Sequence, residues 1–205
     1  MASWLQALSQ SFNKNQFLDY SSLLTAGVIK DSKVNLFPIR FQGFYQETLT
    51  VFYDKRSALY TYLINQPCEF LWHFPLTSEF FKFTANVFED ATEENRTGYW
   101  NLLSQREKQG YCGLPPDCPV LDFKQLDLDR FKPQEAVNVS ENFAVLRIRP
   151  FEVEHSRFLD KSAVGNSRKT YESLPQPDSI SKKWLHKLGD RGWELSEFYV
   201  PIARP

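Results

Sequence analysis

"TLTVFYDKRSALYTYLINQPCEFLWHF", residues 48–74, is the stretch that decides the fold. Its first part, 48–53, is β-branched and aromatic, as strands favour. Four polar residues follow (Asp54, Lys55, Arg56, Ser57), then a helix-like run over 56–66. Beyond Pro67 a second β-prone run occupies 68–74. A strand that turns through polar residues into a helix start presents free backbone N–H groups, which suit an anion. Arg56 and Ser57 therefore stand where they could hold a phosphate. Equally, Asp54 or Ser57 is the residue type that caps a helix.

Working outward, Trp4, Leu5, Leu8 and Phe12 recur at helical spacing, so 3–17 predicts an amphipathic helix. Strands are expected at 22–29 and 34–45, joined by a hairpin-type turn at 30–33. Pro38 marks an edge position or a bulge within the second of them. A further strand is expected at 79–89, and one continuous helix over 94–111. The Pro-rich, acidic stretch 112–140 reads as a long surface connection. Residues 142–150 and 151–158 are expected to form a strand pair. Residues 173–192 suggest a loop with a short helix, and 193–201 a final strand. Many short strands with few helices predict a mainly β protein, a small barrel with peripheral helices, in one domain spanning 1–205.

Composition narrows the function. Apolar residues make up 42% of the 205-residue chain, too many for a disordered one. Lys+Arg is 24 against Asp+Glu 25, a balance that argues against bulk nucleic-acid or anionic-membrane binding. No apolar run reaches a membrane span, and "MASWLQALSQSF" lacks the form of a signal peptide. Three Cys fit a reducing interior, so a cytoplasmic location is expected and the sequons at Asn95 and Asn138 read as chance.

The order of the pieces resembles the flavin-mononucleotide (FMN)-binding split barrels related to pyridoxamine 5′-phosphate oxidase, in its pyridoxamine-phosphate-oxidase-like branch. The resemblance rests on "SWLQALSQSFNKNQFLDYSSLLTAGV" (3–28), "RFQGF" (40–44), "YDKRS" (53–57), "EFLWHFPLTSEFFKF" (69–83), "YWNLLSQREKQGYCGLPPD" (99–117), "SRKTY" (167–171) and "GWELSEFYVP" (192–201). It implies a split β-barrel and a homodimer with two FMN molecules in clefts between subunits. It places Arg40, Gln42, Tyr53, Arg56, Ser57, Lys82 and Trp193 at the cofactor and Arg168 at a substrate phosphate. Residues 172–191 look like an insertion relative to shorter members. In such enzymes the flavin carries the redox chemistry and the protein positions the substrate.

The chain departs from the pattern. Phe37 stands where the family has Arg, Gln42 where it has a basic residue, Ala58 and Leu59 where it has a basic pair, and Phe80 where it has a Gln that reaches the flavin. A charged hydrogen bond to phosphate contributes roughly 1.5–3 kcal/mol. Losing two or three weakens binding by on the order of a thousandfold. Two functions compete: an FMN-dependent oxidoreductase with an eroded phosphate site acting on a small molecule, or a non-catalytic barrel that has lost FMN and serves as a binding or interaction module. A cleft remade for haem or a deazaflavin is a third.

Other candidates have plainer explanations. His73 within "WHF" could stack a ring, but is expected to be a structural histidine. Cys112 and Cys118 lack the spacing of a zinc knuckle, and His155 and His186 are too distant in sequence to complete one. Arg147, Arg149 and Arg157 are expected on an exposed strand face beside Glu152 or Glu154.

Overall fold

The computed structural model describes residues 3–113, 115–116, 138–159 and 179–202. In chain order the elements are α1 (Ser3–Asn15), β1 (Leu23–Lys30), β2 (Lys33–Tyr45), β3 (Thr48–Asp54), α2 (Tyr60–Asn65), β4 (Cys68–Phe74), a 3₁₀ turn (Pro75–Thr77), β5 (Glu79–Glu89), α3 (Glu93–Leu102), α4 (Gln105–Cys112), β6 (Phe143–Leu159), β7 (Ser179–Gly189) and β8 (Gly192–Ile202). The protein is mainly β. Its strands form one antiparallel sheet in the order β3-β2-β1-β4-β5-β6-β7-β8. An added β3–β6 pairing returns the first six strands on themselves.

Local chemistry explains much of this. Asp31 and Ser32 both take positive φ in the two-residue loop between Lys30 and Lys33, the conformation that tight hairpins demand. On β4, Cys68, Phe70, Trp72 and Phe74 point into the core, while Glu69, Leu71 and His73 point out, the period of two that a half-buried strand imposes. α1 lays Trp4, Leu5 and Leu8 against the same core. Each such burial contributes about 1.5–3 kcal/mol. Trp72 also donates its indole N–H to the Ser21 carbonyl at 2.7 Å. Pro38 lies on the stretch of β2 that pairs only with β1, so its missing N–H costs no sheet hydrogen bond.

Several sequence expectations are corrected. Helix α2 begins at Tyr60 rather than 56, because turns consume 55–59: Arg56 N–H donates to Asp54 Oδ1 at 2.9 Å, Ser57 N–H to the Asp54 carbonyl and Tyr60 N–H to the Ser57 carbonyl. The single helix over 94–111 is two helices. Ser104 and Glu107 form a reciprocal capping box that starts α4, and a cap of this kind restarts the chain in a new direction. Residues 142–158 are not a hairpin: 143–159 form one strand, β6, which runs through Pro150 because β3 holds one end of it and β7 the other. β6 first pairs with β3, then with β7, and the register shift opposite Thr84/Ala85 lies where Pro150 sits. Residues 179–189, expected in a loop with a short helix, form strand β7, hairpinned to β8. The remainder of the 172–191 segment and most of 112–140 lie outside the described residues. No helix among the described residues is long and apolar enough to cross a membrane.

Candidate functional site

The turn after β3 lies at the expected phosphate position, and its interactions are internal. The Arg56 guanidinium grips Asp54 through Nε–Oδ1 at 3.0 Å and Nη2–Oδ2 at 2.6 Å. It also donates to the carbonyls of Gly110, at 3.1 Å, and Gly113. Those carbonyls close α4, where a cation opposes the negative end of the helix dipole. Every guanidinium nitrogen is thereby engaged, and hydrogen bonding to Asp54 holds the Arg56 pKa above its ordinary value. Ser57 shares a 3.3 Å contact with the Tyr53 hydroxyl and accepts the Leu59 N–H at 3.3 Å. Asp54 and Ser57 thus build the turn. The N-cap position itself is Leu59, which has no side-chain cap bond.

The other expected contacts are scattered. Arg40, exposed on β2, donates to Ser22 Oγ at 2.8 Å. Gln42 is exposed and sits at the irregularity between Phe41 and Gly43. Lys82, on β5, is half-exposed and paired with Glu69 at 2.9 Å. Arg40 and Lys82 share the outer sheet face but are separated by β1 and β4, three strand spacings of about 4.8 Å, or roughly 14 Å. Phe37 packs against the core beside Tyr53, with ring centroids 6.2 Å apart. Phe80 is stacked on His73 at 4.2 Å and meets Phe158 edge-on. His73 is therefore an outward-facing histidine rather than a core one, because alternation along β4 sends it opposite to Trp72 and Phe74. Ala58 is exposed and Leu59 packs on the core. Arg168 lies outside the described residues.

Trp193 opens β8, 5.5 Å from Trp4. It lines a cleft of about 300 Å³ with Gln46, Glu47, Thr48, Arg149, Pro150 and Leu188. None of the other expected cofactor residues lines this cleft. Among the described residues, the expected cations Arg40, Arg56 and Lys82 each contact a neighbour within the chain and do not converge on one site for FMN.

Arg147 overturns another expectation. It is 2% exposed, paired with Asp90 at 2.7 Å and stacked over Tyr45 and Tyr99. It also donates to the Thr50 hydroxyl. The neutral faces of two tyrosines and one carboxylate make a buried cation tolerable. Arg149 lies exposed over Phe88 and Arg157 is exposed. The Cys68 thiol is buried and pushed up to about 11 by desolvation, so it is inert. Cys112 is exposed and Cys118 lies outside the described residues. Among the described residues no three or more His, Cys, Asp or Glu side chains gather as a metal cluster.

The fold itself has close counterparts. A pyridoxamine 5′-phosphate oxidase-related, FMN-binding protein from Nostoc punctiforme superposes with a TM-score of 0.73, covering 98% of each chain at 20% identity. PhzG from Burkholderia lata, solved with tetrahydrophenazine-1-carboxylic acid, superposes with a TM-score of 0.77, covering 96% of this chain and 92% of that one at 10% identity. At these identities the likeness establishes the fold alone. The structural neighbours of this chain are thus pyridoxamine 5′-phosphate oxidase-related FMN-binding proteins. No protein-family model matches the chain, and no curated protein matches it.

Proposed function

We propose that this chain is a split-barrel protein of the pyridoxamine 5′-phosphate oxidase-like kind whose grip on the FMN phosphate is eroded. The six-strand circuit is its barrel, and two copies associate to build ligand clefts between them. The fold likeness to an FMN-binding protein over 98% of both chains supports the barrel. The observation that carries the erosion is Arg56, four of whose five N–H donors are engaged by Asp54, Gly110 and Gly113. Replacing those partners by a phosphate gains only the difference between two sets of charged hydrogen bonds. The chain therefore works as a binding or interaction module for a small ring-bearing molecule. FMN-dependent oxidoreductase activity is the second function, favoured by the FMN-binding neighbour. Flavin fluorescence titration of the purified protein tests both. FMN affinity weaker than micromolar, in colourless protein, supports the module. Stoichiometric yellow flavin retained through purification supports the oxidoreductase and refutes the erosion. A monodisperse monomer at micromolar concentration in sedimentation would refute the dimer.

A further inference from the structure

One buried polar cluster serves neither the turn nor the cleft. Glu79 on β5, His155 on β6 and His186 on β7 are each less than a tenth exposed. Glu79 takes the Ser11 hydroxyl of α1 on one oxygen, at 2.5 Å, and His155 Nε2 on the other, at 3.1 Å. The His155 ring lies flat between Phe81, at 4.2 Å, and Trp184, at 4.5 Å. His186 pairs across from Val153, and His155 from Trp184, so the two imidazoles are diagonal neighbours on one sheet face. His186 Nδ1 meets the Ser3 hydroxyl of α1 at 3.2 Å. The cluster therefore fastens α1 to the sheet at both ends of the helix.

The two histidines are unequally provided for. His155 has a carboxylate, Glu79. His186 has, among the described residues, a hydroxyl from α1, the His155 ring beside it and Leu195 opposite on β8. The other charged groups on this face are Arg157 of β6, which is exposed and lies across from Glu79 and Lys182, and Glu197 of β8 and Lys182 of β7. Lys182 and Glu197 pair with each other, and Glu197 also takes the Trp184 N–H. Burial and the neighbouring His155 hold the His186 pKa below its ordinary value. A proton on His186 would be a buried cation beside another imidazole, and such a charge is relieved by reaching water. α1 is the element that covers it, and α1 also presses Trp4 onto Trp193 of the cleft wall.

We propose that α1 is a proton-sensitive plug: uptake of one proton by His186 loosens the helix from the sheet and uncovers Trp193 at the cleft. The sign follows from linkage. The loosened state, with His186 in water, binds the proton more readily than the closed state, so closure is complete above the ordinary imidazole range and weakens as pH falls through it. One proton changes the opening equilibrium by at most tenfold per pH unit.

Hydrogen exchange of the full chain, followed by mass spectrometry from about pH 8 to about pH 5, spans that range. After correction for intrinsic exchange, protection of the α1 peptide should fall by up to about tenfold per unit below about pH 6.5, with β4 peptides unchanged. The chain has only three histidines. The slope should persist in His73→Asn, whose ring faces outward, and flatten in His186→Asn. Should His186→Asn fail to fold, NMR titration of the wild-type imidazoles decides: the His186 midpoint must lie below the ordinary value and coincide with loosening of α1. Flat α1 protection, an unchanged slope in His186→Asn, an equal fall in β4, or an uncoupled His186 midpoint each overturns the proposal.

Discussion

Replacing Arg56 by Gln separates a structural guanidinium from a phosphate ligand. The side chain is 21% exposed, and its Asp54 partner 13%, so water replaces part of what is lost. An ion pair in that setting contributes about 1 kcal/mol, at the upper end for surface pairs. The two α4 carbonyl contacts add about 0.5–1 kcal/mol each. The expected destabilisation is therefore about 2–3 kcal/mol. For a domain of this size that lowers Tm by roughly 4–12 °C. Asp54→Asn should cost a similar amount, and the double variant less than the two combined, because the pair is already broken. FMN affinity, titrated by fluorescence quenching, should change by less than about threefold, since four of the five Arg56 N–H donors are already engaged within the chain. A Tm within about 2 °C of wild type together with FMN binding weakened more than about tenfold would refute the reasoning.

Three further outcomes follow from the same contacts. Ala58→Arg with Leu59→Lys should tighten FMN by less than about tenfold, because the added cations precede a helix of six residues and Leu59 gives up packing on the core; fluorescence titration checks it. Arg147→Met should cost about 3–5 kcal/mol in urea unfolding by stranding Asp90, and adding Asp90→Asn should recover part of that. Desolvation pushes the Glu79 pKa up, but hydrogen bonds from His155, Ser11 and Thr77 with the His155 charge together bring it down to about 2 from 4.5. Its contribution to stability is present above about pH 4.5 and lost as pH falls toward 2, so acid unfolding should be steeper in wild type than in Glu79→Gln, as circular dichroism would report.

The sequence by itself determined whatever depends on neighbours along the chain. Helical spacing set the buried face of α1, and Asp31-Ser32 fell in a tight turn between two strand-forming runs, whereas the outward face of His73 on β4 emerged only in the structure. The order of strands through β5 was legible for the same reason, and so was the likeness to flavin-binding barrels. Only the tertiary structure decided the rest. Pro150 suggested a break, yet β6 runs through it because β3 holds one end of the strand and β7 the other, and neither partner is near in sequence. A repeat of charges on 147, 149 and 157 looked like one solvated face. Arg147 is instead buried because Asp90, Tyr45 and Tyr99 arrive from three other parts of the chain. Arg56 was recognisable as a cation beside a strand end, but its role turned on two carbonyls more than fifty residues away. A side chain's residue type fixes what it can bind, and the fold fixes which partner reaches it first.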